Sequence, residues 1–252
     1  MNLLLSLLTL LPCIPVMSVT LHGVTDTLSG ENVKYTKSLE VATAAFQEVE
    51  KLFSSPDFHE RKGWFKDEEN DEGDVVYAKD TPLGRMVTIS AELPMSAKDV
   101  MKETWKGMET LPKWNQNINY AKVIASPTPH FDVVMYGNND VLVVSGRDFV
   151  SARIWRETTD GYLLASRSVE LDSHPKQKGK VRAHLHLAGA RFRQHPEKPD
   201  VTLTDVVMLA DLKGMLPKFL VNQVIGKIML MDTVTNREHF GDIKSGKIPP
   251  SQ

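Results

Sequence analysis

The segment DLKGMLPKFLVNQVIGKIMLMDTV, residues 211–234, is predicted to form a long and unusually apolar helix near the C-terminus. Pro217 suits the first turn of this helix, because a proline there sacrifices no intrahelical hydrogen bond. Apolar residues recur at helical spacing on one face and then widen it: Leu216, Phe219, Leu220, Val221, Val224, Ile225, Ile228, Met229, Leu230, Met231 and Val234. If the helix continues to His239, it is roughly 36 Å long at 1.5 Å per residue. A helix of that length can lie across a whole β-sheet.

Short strands are predicted in the region that precedes this helix. After Trp114, runs rich in β-branched and aromatic residues alternate with turns that contain glycine or proline. These runs read NINYAKVIA, FDVVMYG, RDFVSARIW, GYLLASRSV, KVRAHLHL and VTLTDVVMLA. Because the turns leave no room for crossover helices, the sheet is predicted to be mainly antiparallel. In KVRAHLHL the alternation places Val181, Ala183, Leu185 and Leu187 together on one dry face.

The N-terminal half is predicted to contribute two helices and a hairpin. Apolar residues at helical spacing predict a helix over residues 38–54. A serine followed three residues later by an aspartate predicts the start of a second helix over residues 96–112. Residues 75–79 and 85–93 indicate a pair of strands joined by a turn.

Charge and composition exclude several classes of function. Thirty basic and thirty-two acidic residues give a net charge of −2, so no net field attracts nucleic acid. The only cysteine is Cys13, so the folded body has neither a disulfide nor a thiolate metal site. The acidic run DEENDEGD, residues 67–74, is interpreted as a solvated turn, since it lacks the spacing of a calcium loop. His184 and His186 have no obvious acidic third ligand nearby, which favours solvated strand histidines over a metal site.

Residues 1–24 are predicted to be an apolar leader, because no Asp, Glu, Lys or Arg precedes Asp26. The length suits a secretory signal peptide, although a basic n-region is missing. It also approaches the ~20 residues of a membrane anchor, although two prolines interrupt it, and a peripheral segment is a third alternative. Membrane attachment is favoured over secretion, because the chain has no Asn-X-Ser/Thr site and the body has no cysteine. Residues 25–36 are interpreted as a linker and residues 242–252 as a polar tail.

Catalytic motifs are not found in the sequence: there is no nucleophile elbow, no His-Glu-X-X-His and no Gly-rich phosphate loop. The most informative charge is Arg153, which shares one face of its strand with Phe149 and Trp155. If that face is internal, the guanidinium group must be paired or hydrated. In the alternative, Arg153 points outward and the face of Val150 forms the core.

Several segments resemble the START (steroidogenic acute regulatory protein-related lipid transfer) family. The segments SGRDFVSARIW, SRSVELDSHPKQKGKVRA and DLKGMLPKFLVNQVI carry the resemblance, and YTKSLEVATAAFQEVE, EGDVVYAKDTP and LPKWNQNI extend it toward the N-terminus. DLKG followed by LP is more similar to the sterol-transporting subgroup than to the phosphatidylcholine-transfer subgroup. The domain that resembles this family covers residues 37–241.

The resemblance implies an α+β helix-grip fold, in which a curved antiparallel sheet wraps around the long C-terminal helix and encloses a lipid tunnel. It implies a non-enzymatic carrier of a single sterol-like lipid, cholesterol above all, that works at membrane surfaces, as a monomer and without cofactors. The positions that match the tunnel wall are Leu111, Asn115, Ile118, Arg153, Leu185, Leu212, Ile225 and Ile228. A gating loop matches residues 137–146, with Val141, Leu142, Val143 and Val144 at its tip. Gly214 and Pro217 are expected to form the hinge that lets the helix move.

One position departs from the family pattern. In sterol-binding relatives, an acidic residue on the preceding strand pairs with the arginine that matches Arg153, and the aligned position here is Met135. Met135 is therefore expected beside the ligand, whereas Asp132 would face differently in a regular strand. The expected location is a membrane that faces the cytoplasm, at an endosomal, mitochondrial or ER surface, with secretion as the alternative. A lipid sensor or scaffold, a carrier of another elongated ligand such as a carotenoid, and an enzyme acting on a hydrophobic small molecule are the competing functions.

Overall fold

A computed structural model of the chain describes residues 16–141, 144–176 and 178–251. The helices are α1 (Thr36–Phe53), α2 (Pro56–His59), α3 (Ala97–Lys106), α4 (Leu111–Trp114) and α5 (Lys218–Lys244), with 3-10 turns at Gly30–Tyr35 and Gly107–Thr110. The strands are β1 (Met17–Leu21), β2 (Val24–Leu28), β3 (Phe65–Glu69), β4 (Val75–Thr81), β5 (Gly84–Leu93), β6 (Ile118–Thr128), β7 (Phe131–Asn138), β8 (Arg147–Thr158), β9 (Gly161–Ser168), β10 (Val181–Arg182), β11 (His184–Gln194) and β12 (Thr202–Asp211).

The predicted C-terminal helix is confirmed and is longer than the apolar pattern indicated. It has 27 residues and therefore a length of about 40 Å. The second predicted helix also begins where expected, because the hydroxyl group of Ser96 caps it by accepting a hydrogen bond of 3.2 Å from the backbone N–H of Asp99. The 3-10 turn after α3 leads into α4, and β6 follows α4 at the edge of the sheet.

Within the described residues, ten strands form one sheet in the order β3-β4-β5-β12-β11-β9-β8-β7-β6, with β10 beside β8. All neighbours along this path are antiparallel, so the predicted antiparallel sheet is confirmed; the short β10 runs parallel to β8. Helix α5 crosses β3, β4 and β5, and α3 packs on β9, β11 and β12. Helix α1 packs on β8, β9 and β11.

The sheet buries apolar side chains on both faces. Toward α1, Phe46 and Val49 pack with Val150 and Leu163. Toward α5, the members of a second cluster surround the first half of that helix: Val76, Ile89, Val144, Phe149, Leu185, Leu212, Val224, Ile225 and Met229. A sheet held between α1 on one face and α5 with α3 on the other is the predicted helix-grip arrangement.

A β-bulge interrupts β11 and corrects one detail of the predicted alternation. Leu185 pairs with Ala210 and Leu187 pairs with Leu209, which leaves His186 as the extra residue. As a result, Leu185 packs toward α5, whereas Leu187 packs toward α1. The prediction that both leucines share one face is wrong, because a bulge shifts the two-residue period by one position.

The N-terminal residues 17–35 are ordered parts of the domain. Strands β1 and β2 form a hairpin whose Asp26 is 1% exposed and accepts a hydrogen bond from the guanidinium group of Arg156, which is fully buried in β8. Leu28 joins the cluster around α1. Residues 25–36 were predicted to be a linker, and the structure instead places a strand and a 3-10 turn there.

The predicted leader lies mainly in residues 1–15, outside the described residues, and its interpretation as a signal peptide or an anchor stays a prediction. The last part of the predicted leader, residues 17–21, is strand β1. No helix within the described ranges combines the length and the apolar character that crossing a membrane requires.

The acidic run at residues 67–74 contributes to the attachment of α5, contrary to the expectation of a solvated turn. Asp74 is buried, and its Oδ1 accepts a hydrogen bond of 2.6 Å from Nη2 of Arg237 in α5. This hydrogen bond is the main reason why the pKa of Asp74 is lowered. Asp67 lies in β3 and pairs with Arg85 at 2.7 Å. Gly226 of α5 passes so close to β3 that a Cβ atom there would lie 2.2 Å from Oδ2 of Asp67.

Candidate functional site

An internal cavity of about 220 Å³ lies between the sheet and the second half of α5. The sheet side of the wall is formed by Leu164, Ala165, Ser166, Ala188, Gly189, Ala190, Val206, Val207 and Met208. The helix side is formed by Met229, Asp232, Thr233 and Asn236. Small side chains on β9 and β11 leave this space open, because they cannot reach the helix that crosses above them. The wall is apolar on the sheet side and carries its polar groups on the helix.

A second cavity of about 180 Å³ adjoins the first toward Phe192 and Phe240. The two cavities share the side chains of Ala190, Val206, Thr233 and Asn236. Each is smaller than the roughly 300 Å³ at which pockets for drug-sized ligands begin. A sterol-sized lipid therefore needs the joined cavities to widen.

Asp232 is the polar centre of the cavity wall. Its Oδ1 accepts hydrogen bonds from the side-chain amides of Asn115, at 3.1 Å, and Asn117, at 2.8 Å. The side-chain oxygen of Asn115 in turn accepts the backbone N–H of Asn117 at 2.9 Å, which fixes both amides. Burial raises the pKa of Asp232, and the two amides oppose that shift because they favour the charged form.

Arg153 lies on the internal face of β8, so the open question about its direction is settled. It is 6% exposed, and Nε and Nη2 donate to the two carboxylate oxygens of Asp132 at 2.9 Å and 2.6 Å. The backbone oxygen of Trp105 accepts a further bond at 3.3 Å, and the Trp105 ring lies 4.6 Å from the guanidinium carbon. Burial raises the pKa of Asp132, and the charge of Arg153 opposes that shift.

Arg147 connects the start of β8 to the segment that leads into α5. Its Nε donates to the backbone oxygen of Leu212 at 3.0 Å, and Nη2 donates to that of Lys213 at 3.2 Å. Gly214 follows with φ +80°, a left-handed conformation that side chains disfavour. Beyond it, Met215 is fully exposed and Phe219 is 68% exposed. The first turn of α5 therefore presents apolar side chains to the outside.

Comparison with known proteins identifies the family of this chain. The family model described as START domain matches residues 44–245. The chain belongs to the START domain family. Steroidogenic acute regulatory-like protein 1 of Caenorhabditis elegans is 67% identical over 229 residues, which cover 90% of this chain and 88% of that protein. The human steroidogenic acute regulatory protein, mitochondrial, is 30% identical over 174 residues, which cover 66% of this chain and 60% of the human protein.

Solved START structures share the fold at low sequence identity. Human StAR-related lipid transfer protein 5 superposes with a TM-score of 0.72 at 19% identity, over 83% of this chain and 99% of that chain. Human STARD10 superposes with a TM-score of 0.68 at 19% identity, over 80% of both chains. These matches confirm the helix-grip fold that the sequence predicted.

Most of the predicted tunnel and gate residues of this START domain meet around the first half of α5. One cluster contains Val141, Val144, Leu185, Leu212, Ile225 and Ile228. Gly214 and Pro217 immediately precede the helix, and Pro217 occupies its N-cap position. Leu142 and Val143 lie outside the described residues. Residues of the predicted loop and of the predicted helix thus share one apolar cluster, and their role as a gate stays a prediction.

Three other predicted residues lie on the side of the site near Asp232 and the inner face of the sheet. Asn115 bonds to Asp232, while Leu111 begins α4 and Ile118 begins β6, both half-buried. None of the predicted ligand residues lines the 220 Å³ cavity, which is situated farther along α5. Their contact with a ligand stays a prediction that depends on how far the cavity extends when it opens.

Met135 does not occupy the position that sequence alignment assigned to it. It pairs with Val150 and packs in the cluster around α1, on the sheet face opposite α5. Asp132 is the residue that lies across from Arg153 in the β7–β8 register. The expectation that Met135 replaces the family's acid beside the ligand is wrong, because the acid is present three residues earlier.

Asp232 was not among the residues predicted for the site. The signal that identifies it is its spacing. Asp232 follows Ile228 by four residues and Met229 by three, so it belongs to the internal stripe of the helix and not to its solvent face. What the sequence alone did not contain is that Asn115 and Asn117, more than a hundred residues away, meet it there.

Proposed function

We propose that this START domain binds one sterol-like lipid in the space beneath α5 and carries it between membranes without catalysing a reaction. The observation that carries the proposal is the cavity between a mainly apolar sheet face and α5. The names of similar proteins, among them a steroidogenic acute regulatory protein and a lipid transfer protein, support lipid as the cargo. Cholesterol is the specific sterol that we propose.

The physical need for such a carrier follows from the cost of exposing a lipid to water. A sterol-sized lipid in a bilayer keeps on the order of 20 carbons away from water, and the transfer of each CH₂ group out of water is favourable by ~0.8 kcal/mol. Spontaneous escape from a bilayer is therefore slow. A protein cavity of similar apolarity lowers that barrier with no covalent step, so neither a catalytic acid and base nor a cofactor is needed.

The gate that we propose is the contact between the first half of α5 and the loop at residues 137–146. Met215 and Phe219 place apolar surface beside this contact, where it can enter the outer layer of a membrane. The second half of α5 is held to the sheet by the ion pair between Arg237 and Asp74, at 2.6 Å. Opening is therefore expected at the N-terminal end of the helix, with Gly214 as the flexible point.

We further propose that the protein acts as a monomer on membranes that face the cytoplasm, at a mitochondrial, endosomal or ER surface. The word mitochondrial in the name of the human relative supports the first of these. The lipid and the membrane surface are its proposed partners, and nucleic acid is not. A sensor that binds lipid without transferring it, and a carrier of a different elongated lipid, are the alternatives that the following test separates.

The full chain is to be mixed with donor liposomes that contain a labelled sterol and with unlabelled acceptor liposomes. We expect sterol to reach the acceptors several-fold faster than in a sample with an unrelated globular protein. If transfer is no faster, the carrier function is contradicted. Native mass spectrometry of the same sample then shows whether a lipid is nevertheless bound, which would favour the sensor.

Exposed residues in α5 and in the segment just before it provide a matched pair of variants for the gate. Replacing Met215 and Phe219 together by serine is expected to slow transfer while leaving sterol binding in solution unchanged. The control is Met231→Ser, because Met231 is also exposed, at 47%, and lies about 18 Å farther along the helix from Phe219 at 1.5 Å per residue. Equal transfer rates for the two variants would contradict the proposed membrane contact.

A further inference from the structure

Asp232 lines the proposed lipid cavity and is the one charged residue among the described residues of its wall. The cavity wall opposite it consists of side chains such as Leu164, Val206 and Met208. Asp232 is half-buried, and it lines the cavity together with Met229, Thr233 and Asn236 of the same helix. An acidic group in such a place is costly, because charge is poorly solvated away from bulk water.

Only one of the two oxygens of this carboxyl group, Oδ1, accepts hydrogen bonds from the described residues. Both amides, of Asn115 and Asn117, donate to Oδ1, and no other donor from the described residues reaches Oδ2. No lysine or arginine within the described ranges forms an ion pair with Asp232, and burial raises its pKa. The nearby Tyr136 is neutral while its hydroxyl group is protonated, and burial is the main cause that raises its pKa to about 12. One strong hydrogen-bond acceptor is therefore left toward the cavity.

Arg153, another charged group of the internal face, is not among the residues that line this cavity. Nε and Nη2 are taken by Asp132, Nη2 also donates to the backbone oxygen of Trp105, and Nη1 lies 3.4 Å from the sulfur of Met108. The ring of Trp105 lies against the same guanidinium group. Four of the five N–H donors of Arg153 thus have acceptors, and the group lies outside the cavity wall, so a lipid head group in this cavity gains little from it. The recognition of a polar head is thus directed to Asp232.

We propose that Asp232 selects lipids whose polar head is a hydrogen-bond donor, an alcohol or an ammonium group, and discriminates against heads that only accept hydrogen bonds, such as ketones and esters. The donor lies against Oδ2, while the apolar body of the lipid runs along the sheet side of the cavity. This inference rests on the proposed function, because it names the class of lipid for the same cavity.

The discriminating experiment compares sterols that differ only at the polar head. Binding of a 3-hydroxysterol, the matching 3-ketosterol and the matching 3-aminosterol to the full chain is measured by native mass spectrometry and by titration calorimetry. We expect the alcohol and the amine to bind on the order of tenfold to a hundredfold more tightly than the ketone, as for a hydrogen bond to a charged group. The ratio of amine to alcohol tells which donor the carboxyl group prefers.

Two variants of α5 assign the discrimination to this side chain. Asp232→Asn offers an amide that can donate as well as accept, so the preference for alcohol over ketone is expected to fall to within about threefold, less than one hydrogen bond contributes. The control is Glu238→Gln, which makes the same chemical change at an exposed position of the same helix. It is expected to keep the wild-type preference.

The outcomes separate this inference from the function on which it rests. If the wild-type protein binds none of the three sterols, the proposed function fails. If it binds alcohol and ketone equally well, the carrier function stands and the role of Asp232 is wrong. If the preference persists in Asp232→Asn, the donor is recognised elsewhere and the assignment to Asp232 is likewise overturned.

Discussion

Replacing Asp26 by alanine is expected to destabilise this START domain strongly, although Asp26 precedes the residues 44–245 that the family model matches. Asp26 is 1% exposed and Arg156 is fully buried, and the two form an ion pair between the N-terminal hairpin and β8. The hydroxyl group of Thr128 also donates to Asp26. The substitution removes the acceptor from both donors and leaves a buried cation without its counter-charge.

The magnitude follows from the surroundings of Arg156. Two donors keep backbone acceptors, at 3.0 Å from Nε to Leu21 and at 2.7 Å from Nη1 to Trp155, but these are neutral groups. Removing one partner of a buried ion pair costs about 3–5 kcal/mol of unfolding free energy. For a domain of this size each kcal/mol lowers Tm by about 2–4 °C, so the expected decrease is about 6–20 °C.

The assay is thermal and urea unfolding of the full chain, followed by circular dichroism. The matched control is Asp200→Ala, because Asp200 is 64% exposed and pairs with Lys244 at 3.0 Å on the surface. Such a pair contributes at most about 1 kcal/mol. A second arm combines Asp26→Leu with Arg156→Met, and it should recover most of the lost stability because no unpaired charge remains.

Equal stabilities of Asp26→Ala and Asp200→Ala would refute the reasoning. That result would mean that the hairpin of residues 17–28 is not integral to the domain. Failure of the double variant to recover stability would instead show that hairpin packing, and not the unpaired Arg156, is the main contribution. A chain that begins at residue 35 is expected to show at least the same loss as Asp26→Ala, since it lacks the hairpin altogether.

Three further predictions concern α5 and the sheet face that packs against α3 and α5. Asp132→Ala is expected to cost about 3–5 kcal/mol by leaving Arg153 unpaired, and urea unfolding checks this against the smaller effect of Asp132→Asn. Gly226→Ala is expected to cost about 1–3 kcal/mol and to loosen α5, because the new Cβ would lie 2.2 Å from Oδ2 of Asp67; unchanged stability and unchanged proteolysis of α5 would contradict it. The pKa of Asp232 is raised in the folded state, so protonation of this group stabilises the fold. That contribution is complete at a pH below the ordinary aspartate pKa and is lost as the pH rises through the raised pKa. Asp232→Asn should therefore gain stability relative to wild type as pH rises from 3 to 7, and a gain on acidification would refute this.

Local pattern determined the fold of this protein to a large extent. The wide apolar stripe on α5, the closely spaced strands before it and the alternation within them identify an antiparallel sheet followed by a long helix, and the resemblance to the START family implied that the sheet grips the helix. These features depend on residues close together in the chain, so their periodicity is visible without coordinates. The same holds for α1 and for the capping serine of α3.

The pairing of charges was decided only by the tertiary structure. Alignment placed Met135 opposite Arg153, whereas the β7–β8 register brings Asp132 there. A shift of one or three residues turns a side chain to the other face of a strand, and nothing in a single strand's sequence reports the register with its neighbour. The bulge at His186 is the same kind of event, since an extra residue is visible only against its partner strand.

The polar centre of the site also required the folded chain. The position of Asp232 within the apolar stripe was present in the sequence, but its meaning depends on Asn115 and Asn117 and on the empty space that small residues of β9 and β11 leave beneath it. A cavity is the absence of atoms between elements distant in sequence, so composition and periodicity carry no record of it. The sequence thus determined which helix closes the site, and only the tertiary structure decided where the cavity lies and which carboxyl group faces it.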